Sequence, residues 1–503
     1  MIDTVDELLA EFDDLAINYC HWKSNEKIQA TLNGETDLDV LCHRDDLRAC
    51  RQILGEHGFV KLDEVSLTGY PGIENYVGYD PDSGSCIHVH LHFELTFGTP
   101  FLKEYVTPWA PYVLDRRITD PESGVPITDP TTELFLLIVR YSLKIRRYNP
   151  IARRSYFDGF LDEYDWLAER ADEAELDATV RDLLNPSAAS RVADVLDGEP
   201  TIRDLIRVGK PVRAELDTYS TYPSWSTTPI ALARKVFRGL GKLNREFIDR
   251  PYPTRRKLQS RGVEIAIVGI DGSGKSTHLS SLHDWLSWKM DVHTVYFGSG
   301  DGPSSLLRYP FKKLNDLRTR SANGTSNIST SAELNTSSDR MDGGNSGVYD
   351  VDAGRVGFAK APWAILLARE KKKKRRRAIR ARNRGMIVLM DRYPQNQFAD
   401  INDGPLLQPW LDSRRGYLKR IAKWETEIYD DLHEQSPDLI IKLMTDPEIA
   451  KERKPETPMV NLERKAEIID SLSYEHSRVI EVDTDQDIDD VLRTIKKEIW
   501  KEL

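Results

Sequence analysis

A chain of 503 residues, 40% of them hydrophobic, can build roughly two to four domains with real cores and is not a disordered polymer. Lys and Arg total 70 against 81 Asp and Glu, and the net charge of −11 argues against wholesale coating of nucleic acid, leaving only local basic patches to meet anions. The longest apolar stretches, such as Leu134–Val139 and Ala364–Ala368, fall far short of the roughly 20 residues that span a bilayer.

In chain order, residues 1–150 mix strand-like runs (TDLDVL, CIHVHLHFEL) with helical patterns and close on ELFLLIVRYSLK, a strongly apolar helix, so one α/β domain is expected here. Cys20, Cys42, Cys50 and Cys86 all fall in this region, without CxxC spacing and with no secretory segment ahead of them, the pattern of reduced thiols in a cytoplasmic protein. In CHWKSNEKIQATLNGETDLDVL, Ser24 precedes Asp37-Leu-Asp39. Alternate carboxylates on a strand share one face and can hold Mg²⁺ on a nucleoside triphosphate. In IHVHLHFEL, His88, His90, His92 and Glu94 share a face too, which suits either a transition metal or a polar cleft that the imidazoles fill.

This region resembles the nucleotidyltransferase superfamily, whose signature is Gly-Ser followed by Asp-x-Asp, and most closely its polysaccharide-associated branches. The resemblance implies Asp37 and Asp39 as Mg²⁺ ligands. Lys23 stands where the family has glycine, and His90 where it has a third carboxylate. The expectation is a head that binds Mg²⁺–nucleotide without efficient transfer, with a binding or sensing module as the alternative.

Residues 151–258 read as a helical region and linker, with YFDGFLDEYDWLAERA and TVRDLLN separated by loop signals at Asn185-Pro186 and Gly198-Glu-Pro200. ALARKVFRGLGKLNREF (Ala231–Phe247) is basic and amphipathic, fit for a packed linker helix or for peripheral membrane contact. RPYPTRRKLQSRG (Arg250–Gly262) combines prolines and cations as a linker does, and leads into a third domain, 259–503.

That domain opens with GVEIAIVGIDGSGKSTHLSSL. Gly269, Gly274, Lys275 and Ser276 fit G-x-x-x-x-G-K-[ST], the Walker A or P-loop pattern, after a strand (Ile265–Val268) and before a helix starting at Thr277. Glycines let successive backbone N–H groups turn inward, so Gly269, Asp271, Gly272, Ser273, Gly274, Lys275, Ser276 and Thr277 form the expected ATP-phosphate cradle. Lys275 reaches the β- and γ-phosphates in this pattern, and the Ser276 hydroxyl ligates Mg²⁺.

GIDGSGKST resembles the phosphate loop of thymidylate kinases and related nucleoside monophosphate kinases. IVLMDRYPQN, PDLIIKLMTDPEIAKER and VIEVDTDQDIDDVLRTI follow in that family's order. The resemblance implies a parallel-sheet P-loop fold, ATP and Mg²⁺, Asp391 beside the metal, Arg392 facing the phosphoryl acceptor, and Asp271 holding an acceptor sugar hydroxyl. No basic residue but Lys275 lies in the loop, so Arg453, with Lys454 and Arg464 as further candidates, is expected to supply the remaining charge. Arg369 falls near the family's acceptor-phosphate arginine. VYFGSGDGPSS replaces the family's Arg-Glu-Pro-Gly-Gly, which leaves the acceptor open between a nucleotide and a sugar or lipid-linked intermediate. The Ser-, Asn-, Thr- and Gly-rich stretch 319–347 is expected to be a flexible insertion.

KKKKRRR (Lys371–Arg377), followed by Arg380, Arg382 and Arg384, puts cations on every face of a helix at about 100° per residue. Three destinations stay open: a phosphate-rich acceptor, an anionic membrane or nucleic-acid surface met through 371–384, and plain solvent. The whole reads as a cytoplasmic α/β protein, with membrane contact peripheral at most, whose P-loop half is an ATP-dependent phosphotransferase. An ATP-binding scaffold of polysaccharide synthesis and a nucleotidyltransferase are the alternatives, and a homodimer is left open.

Overall fold

The computed structural model describes residues 1–298 and 361–503, apart from 66, 146–149, 197, 249 and 400. The insertion expected at 319–347 lies outside the described residues. The chain divides into two compact units, Met1–Ser260 with Ser287–Asp291, and Arg261–Leu286 with Val292–Leu503.

The first unit is built on strands β1 (Tyr19–His21), β2 (Leu38–Cys42), β3 (Val60–Glu64), β4 (Ile73–Asp80), β5 (Ser85–His92), β6 (Leu95–Phe97), β7 (Tyr105–Thr107), β8 (Ile118–Thr119), β9 (Pro126–Ile127) and β10 (Arg256–Leu258). Eight of them form one mixed sheet in the order β10-β3-β4-β5-β2-β1-β9-β8, while β6 and β7 pair separately. Strand alternation divides the chemistry of this sheet. Leu38, Val40 and Cys42 of β2, with Ile87, Val89 and Leu91 of β5, enter one core with Val5, Leu8 and Phe12 of the helix Asp3–Asp14 and with Ile53 and Leu54 of the helix Leu47–Glu56. The alternate positions carry Asp39, His88, His90 and His92, so the acids and imidazoles share the opposite face. All four cysteines are buried and free.

The helix Pro130–Lys144 starts on a proline and is capped by Asp129, whose carboxylate accepts the Thr132 N–H at 3.0 Å. Leu134 to Val139 are all buried, and a helix apolar on every side needs cover on every side. Helices Pro150–Ala168, Glu173–Leu183, Pro186–Leu196 and Ile202–Leu216 provide it: Phe160, Val180, Val192 and Leu205 share one core with Phe135 and Leu137. The helices expected as a middle region therefore share the core of the first unit. The helix Ser224–Leu243 leaves Trp225, Leu232, Val236 and Leu240 exposed along one face. Inside the expected linker, Arg256–Leu258 is a strand: it pairs antiparallel with β3, placing Leu258 opposite Leu62, where it is 1% exposed. An open sheet edge offers unpaired N–H and C=O groups, and a chain passing beside it takes them up.

The second unit holds β11 (Glu264–Gly269), β12 (Val292–Tyr296), β13 (Ile387–Asp391), β14 (Leu439–Met444) and β15 (Arg478–Asp483) in the order β12-β13-β11-β14-β15, every neighbouring pair parallel. β13 is buried throughout and β11 all but throughout, as strands covered on both faces must be. The protein is thus α/β. The chain leaves β11 for the helix Lys275–Ser287 at the carboxyl edge of the sheet, where ligands of parallel sheets collect. Among the described residues, no helix is long and apolar enough to cross a membrane.

The basic run lies in the helix Ala361–Arg382, and much of the anion it needs is the protein's own. Arg375 makes two hydrogen bonds, 2.5 and 2.7 Å, to the fully buried carboxylate of Glu264. Buried Lys371 donates to the Asp403 carbonyl at 2.9 Å and to its carboxylate at 3.2 Å. Arg382 pairs with Asp438, Lys372 with Asp431 and Lys374 with Glu370. Within the helix the exposed cations of the run are Lys373, Arg376, Arg377 and Arg380, one stripe instead of the whole circumference, and Arg384 is exposed just beyond the helix's end.

Arg375→Met leaves the buried Glu264 carboxylate with only the Arg382 guanidinium, 3.7 Å away, so it is expected to destabilise the second unit by up to about 3–5 kcal/mol. Adding Glu264→Leu should restore most of the loss. Urea unfolding checks this, and a double variant no more stable than the single one would contradict the buried-pair account.

Candidate functional site

The loop between β11 and the helix Lys275–Ser287 needs its glycines. Gly272 and Gly274 have φ of 89° and 82°, and a Cβ on Gly272 would lie 2.6 Å from the Ala450 carbonyl oxygen. Ser276 and Thr277 stand exposed on the first turn of that helix, where free N–H groups and the helix dipole favour an anion. Lys275 is buried, its ammonium donating to the Gly269 and Ile270 carbonyls at 3.0 and 2.5 Å. Burial, with Arg392 adding to it, pushes the Lys275 pKa down to about 7.

Asp391 ends β13 in register with Ile267 of β11, which brings it to the loop. It is buried, and its Oδ1 has no hydrogen-bond partner among the described residues. Burial raises its pKa, against the pull of Lys275 and Arg392. Arg392 follows at φ 66°, a left-handed conformation uncommon outside glycine, held by its N–H on the Ile267 carbonyl at 3.0 Å. Its guanidinium meets Asp271 at 3.0 Å and Asp403 at 3.8 Å. The second oxygen of Asp271 accepts from Lys465 at 2.5 Å. Burial alone would raise the Asp271 pKa, but Lys465, Arg392 and Lys275 hold its carboxyl well below the usual range. The result is a row of alternating charge, Lys465, Asp271, Arg392, Asp403 and Lys371.

Of the expected site residues, the structure thus gathers Gly269 to Thr277, Asp391 and Arg392. Arg453, exposed at the end of the helix Pro447–Arg453, reaches the Gly272 carbonyl at 3.4 Å and the Thr484 carbonyl at 3.2 Å, so it belongs to the same edge. Arg464 is exposed, and the residue that enters the site is its neighbour Lys465. Arg369 is exposed and lies over the Trp424 ring, 5.5 Å from its centroid. The sequence held a signal for Lys465: it lies three residues after Leu462 and four before Ile469, both buried on the helix Met459–Ser471. Asp403 gave no such signal.

In the first unit, Asp37 and Asp39 do come together with the histidines. Asp39 Oδ1 is 3.1 Å from His90 Nδ1, 3.2 Å from His92 Nε2 and 2.6 Å from the Lys23 ammonium. Asp37 Oδ1 is 2.9 Å from His88 Nδ1 and 2.6 Å from the ammonium of Lys289, in the segment Ser287–Asp291 that belongs to this unit.

No protein-family model matches the chain. Over 237 residues it is 26% identical to the Uncharacterized ATP-binding protein YghS of Escherichia coli (strain K12), covering 46% of this chain and 89% of that protein. Over 243 residues it is 24% identical to the Uncharacterized ATP-binding protein YghR of the same strain, covering 47% and 86%. Among solved structures, a thymidylate kinase from Ehrlichia chaffeensis aligns at 15% identity over 48% of this chain and 98% of its own, with a TM-score of 0.24, too low to bear on fold or activity.

At pH 8 a lysine of pKa about 7 is mostly neutral, and a polyphosphate beside it favours the charged form, so ATP binding should take up to about one proton at that pH. Calorimetry in buffers of differing ionisation enthalpy measures this. A binding heat that does not change with buffer would contradict the neutral lysine.

Proposed function

We propose that the second unit is an ATP-dependent phosphotransferase that moves the γ-phosphoryl of ATP to a nucleotide or to a sugar or lipid-linked acceptor. The observation that carries this reading is the unpartnered, buried Oδ1 of Asp391 at the strand end beside the phosphate loop. A carboxylate oxygen buried without a hydrogen bond is costly unless a ligand completes it. The names of the two bacterial relatives support ATP as that ligand's source, and the resemblance to thymidylate kinases supports transfer over simple binding.

The residues fit Mg²⁺. The exposed Ser276 hydroxyl and the free Asp391 oxygen form an all-oxygen donor set of the kind this ion takes. Bound there, Mg²⁺ would neutralise charge on the phosphate oxygens. The chain's own part is positioning. The loop amides and Lys275 hold the β- and γ-phosphates. Arg392, fixed by its backbone and by Asp271, holds the acceptor, and Arg453 offers charge from the side of Gly272. An acceptor oxygen then forms a bond to the γ-phosphorus as the bond to the ADP oxygen breaks.

A second reading, an ATP-binding scaffold that docks an anionic surface, is favoured by the single exposed stripe of Lys373, Arg376, Arg377 and Arg380. One assay separates them: transfer of label from [γ-³²P]ATP to a panel of nucleoside monophosphates, sugar phosphates and polyprenyl-phosphate glycans. Lys275→Ala should abolish ATP binding and transfer together, whereas Arg392→Gln should raise the acceptor KM roughly tenfold or more and leave ATP affinity nearly unchanged. Unchanged ATP affinity and turnover in Lys275→Ala would sink the phosphate-loop assignment. Glutamines at the four stripe positions should spare transfer to soluble acceptors. If they abolish vesicle binding in a protein that transfers no label, the scaffold reading stands instead.

A further inference from the structure

We infer that the polar face of the first unit's sheet is a transition-metal site, in which Asp39, His90 and His92 take one ion of the Zn²⁺, Mn²⁺, Fe²⁺ or Co²⁺ class. This goes beyond the phosphotransferase reading and is independent of it, since none of these residues belongs to the phosphate-loop unit.

The site is a product of register. β2 and β5 run parallel with Asp39 opposite His90, and the two-residue period of a strand adds His92 on the same face. The ligand atoms of Asp39, His90 and His92 all lie within 4.8 Å of one another, and those of Asp37, His88 and His90 form a second such group beside them. Two imidazole nitrogens converge on the same carboxylate oxygen, at 3.1 and 3.2 Å, separations that an ion set between the three groups would bridge with bonds of about 2.0–2.2 Å.

Donor chemistry selects the ion. Mg²⁺ and Ca²⁺ take shells of oxygen, whereas two imidazoles and a carboxylate suit the divalent first-row metals and Zn²⁺. The Mg²⁺ expected on Asp37 and Asp39 therefore meets the wrong partners: each carboxylate faces at least one imidazole.

Charge and burial point the same way. The cation at Asp39 is the Lys23 ammonium, 2.6 Å from the oxygen that both histidines face. A primary amine on a flexible, half-buried stem is a replaceable counter-ion, and a divalent ion gains more from the same carboxylate. Asp39 is 7% exposed and His92 2% exposed, while His90 and Asp37 are only half-buried. Burial thus falls from Asp39 and His92 toward His90 and Asp37, where Arg256 stands 3.5 Å from His90 Nε2 and Lys289 pairs with Asp37.

The test uses the untagged full chain, stripped with chelator and titrated with Co²⁺ in the absence of nucleotide, followed by its visible absorption and by elemental analysis after dialysis. One Co²⁺ per chain is expected, retained against a large excess of Mg²⁺. His90→Gln and His92→Gln should each weaken binding at least about tenfold, and together should reduce retained metal to the background. Lys23→Met guards against loss of binding through misfolding: with the competing ammonium gone, Co²⁺ should bind more tightly than in the wild type. The inference is overturned if the stripped wild type retains no Co²⁺, if the double histidine variant retains one equivalent, or if Lys23→Met weakens binding.

Discussion

Charge kept out of water decides how the second unit is built. Lys275 and Asp391 are buried at the carboxyl edge of the parallel sheet, with Asp271, Arg392 and Asp403 half-buried beside them, and a buried charge without a partner is expensive. The fold answers with a row of alternating sign running from Lys465 through Asp271, Arg392 and Asp403 to Lys371. That row needs β11 and β13 side by side, because Asp391 and Arg392 reach the loop only from the neighbouring strand. It also needs Arg392 to hold a left-handed backbone, a local cost that the Ile267 carbonyl and two carboxylates offset. The row leaves one buried oxygen of Asp391 without a hydrogen-bond partner among the described residues, while the Ser276 hydroxyl stands exposed.

The same rule governs the first unit with different partners. There the acids Asp37 and Asp39 are answered by imidazoles and lysines drawn from other strands and loops, and their geometry follows from the register of β2 against β5. The two units thus present donors of contrasting chemistry: carboxylate and hydroxyl oxygens at the glycine-rich loop in one, and a mixed nitrogen and oxygen set in the other.

What could be read in the sequence was whatever depends on local spacing. The phosphate loop was legible because its glycines, lysine and serine act within eight residues, and its leading strand because an unbroken apolar run precedes them, whereas the parallel sheet was only what the resemblance to thymidylate kinases implied. The shared face of His88, His90 and His92 followed from the two-residue period of a strand, whereas Asp37 stands one residue ahead of β2, outside the strand expected to carry it with Asp39. The pairing of β2 with β5 did not follow, because no local signal fixes which strands lie side by side. The basic run misled for a related reason: composition sets the charge of Lys371 and Arg375, but only tertiary contact shows that Asp403 and Glu264 meet them inside the protein. The strand at Arg256–Leu258 was hidden likewise, its stability coming from an open edge far away in sequence.

The central claim is that Asp391 acts on the reacting phosphate and not on the fold. The most direct measurement is the single-turnover rate of phosphoryl transfer per bound ATP in Asp391→Asn against wild type, with ATP affinity measured alongside. The account predicts a rate lower by roughly 100-fold or more with ATP affinity changed only a few-fold, since an ion positioned by this carboxylate matters most when charge is moving. An unchanged rate, or a rate that falls only as far as ATP binding does, would contradict it.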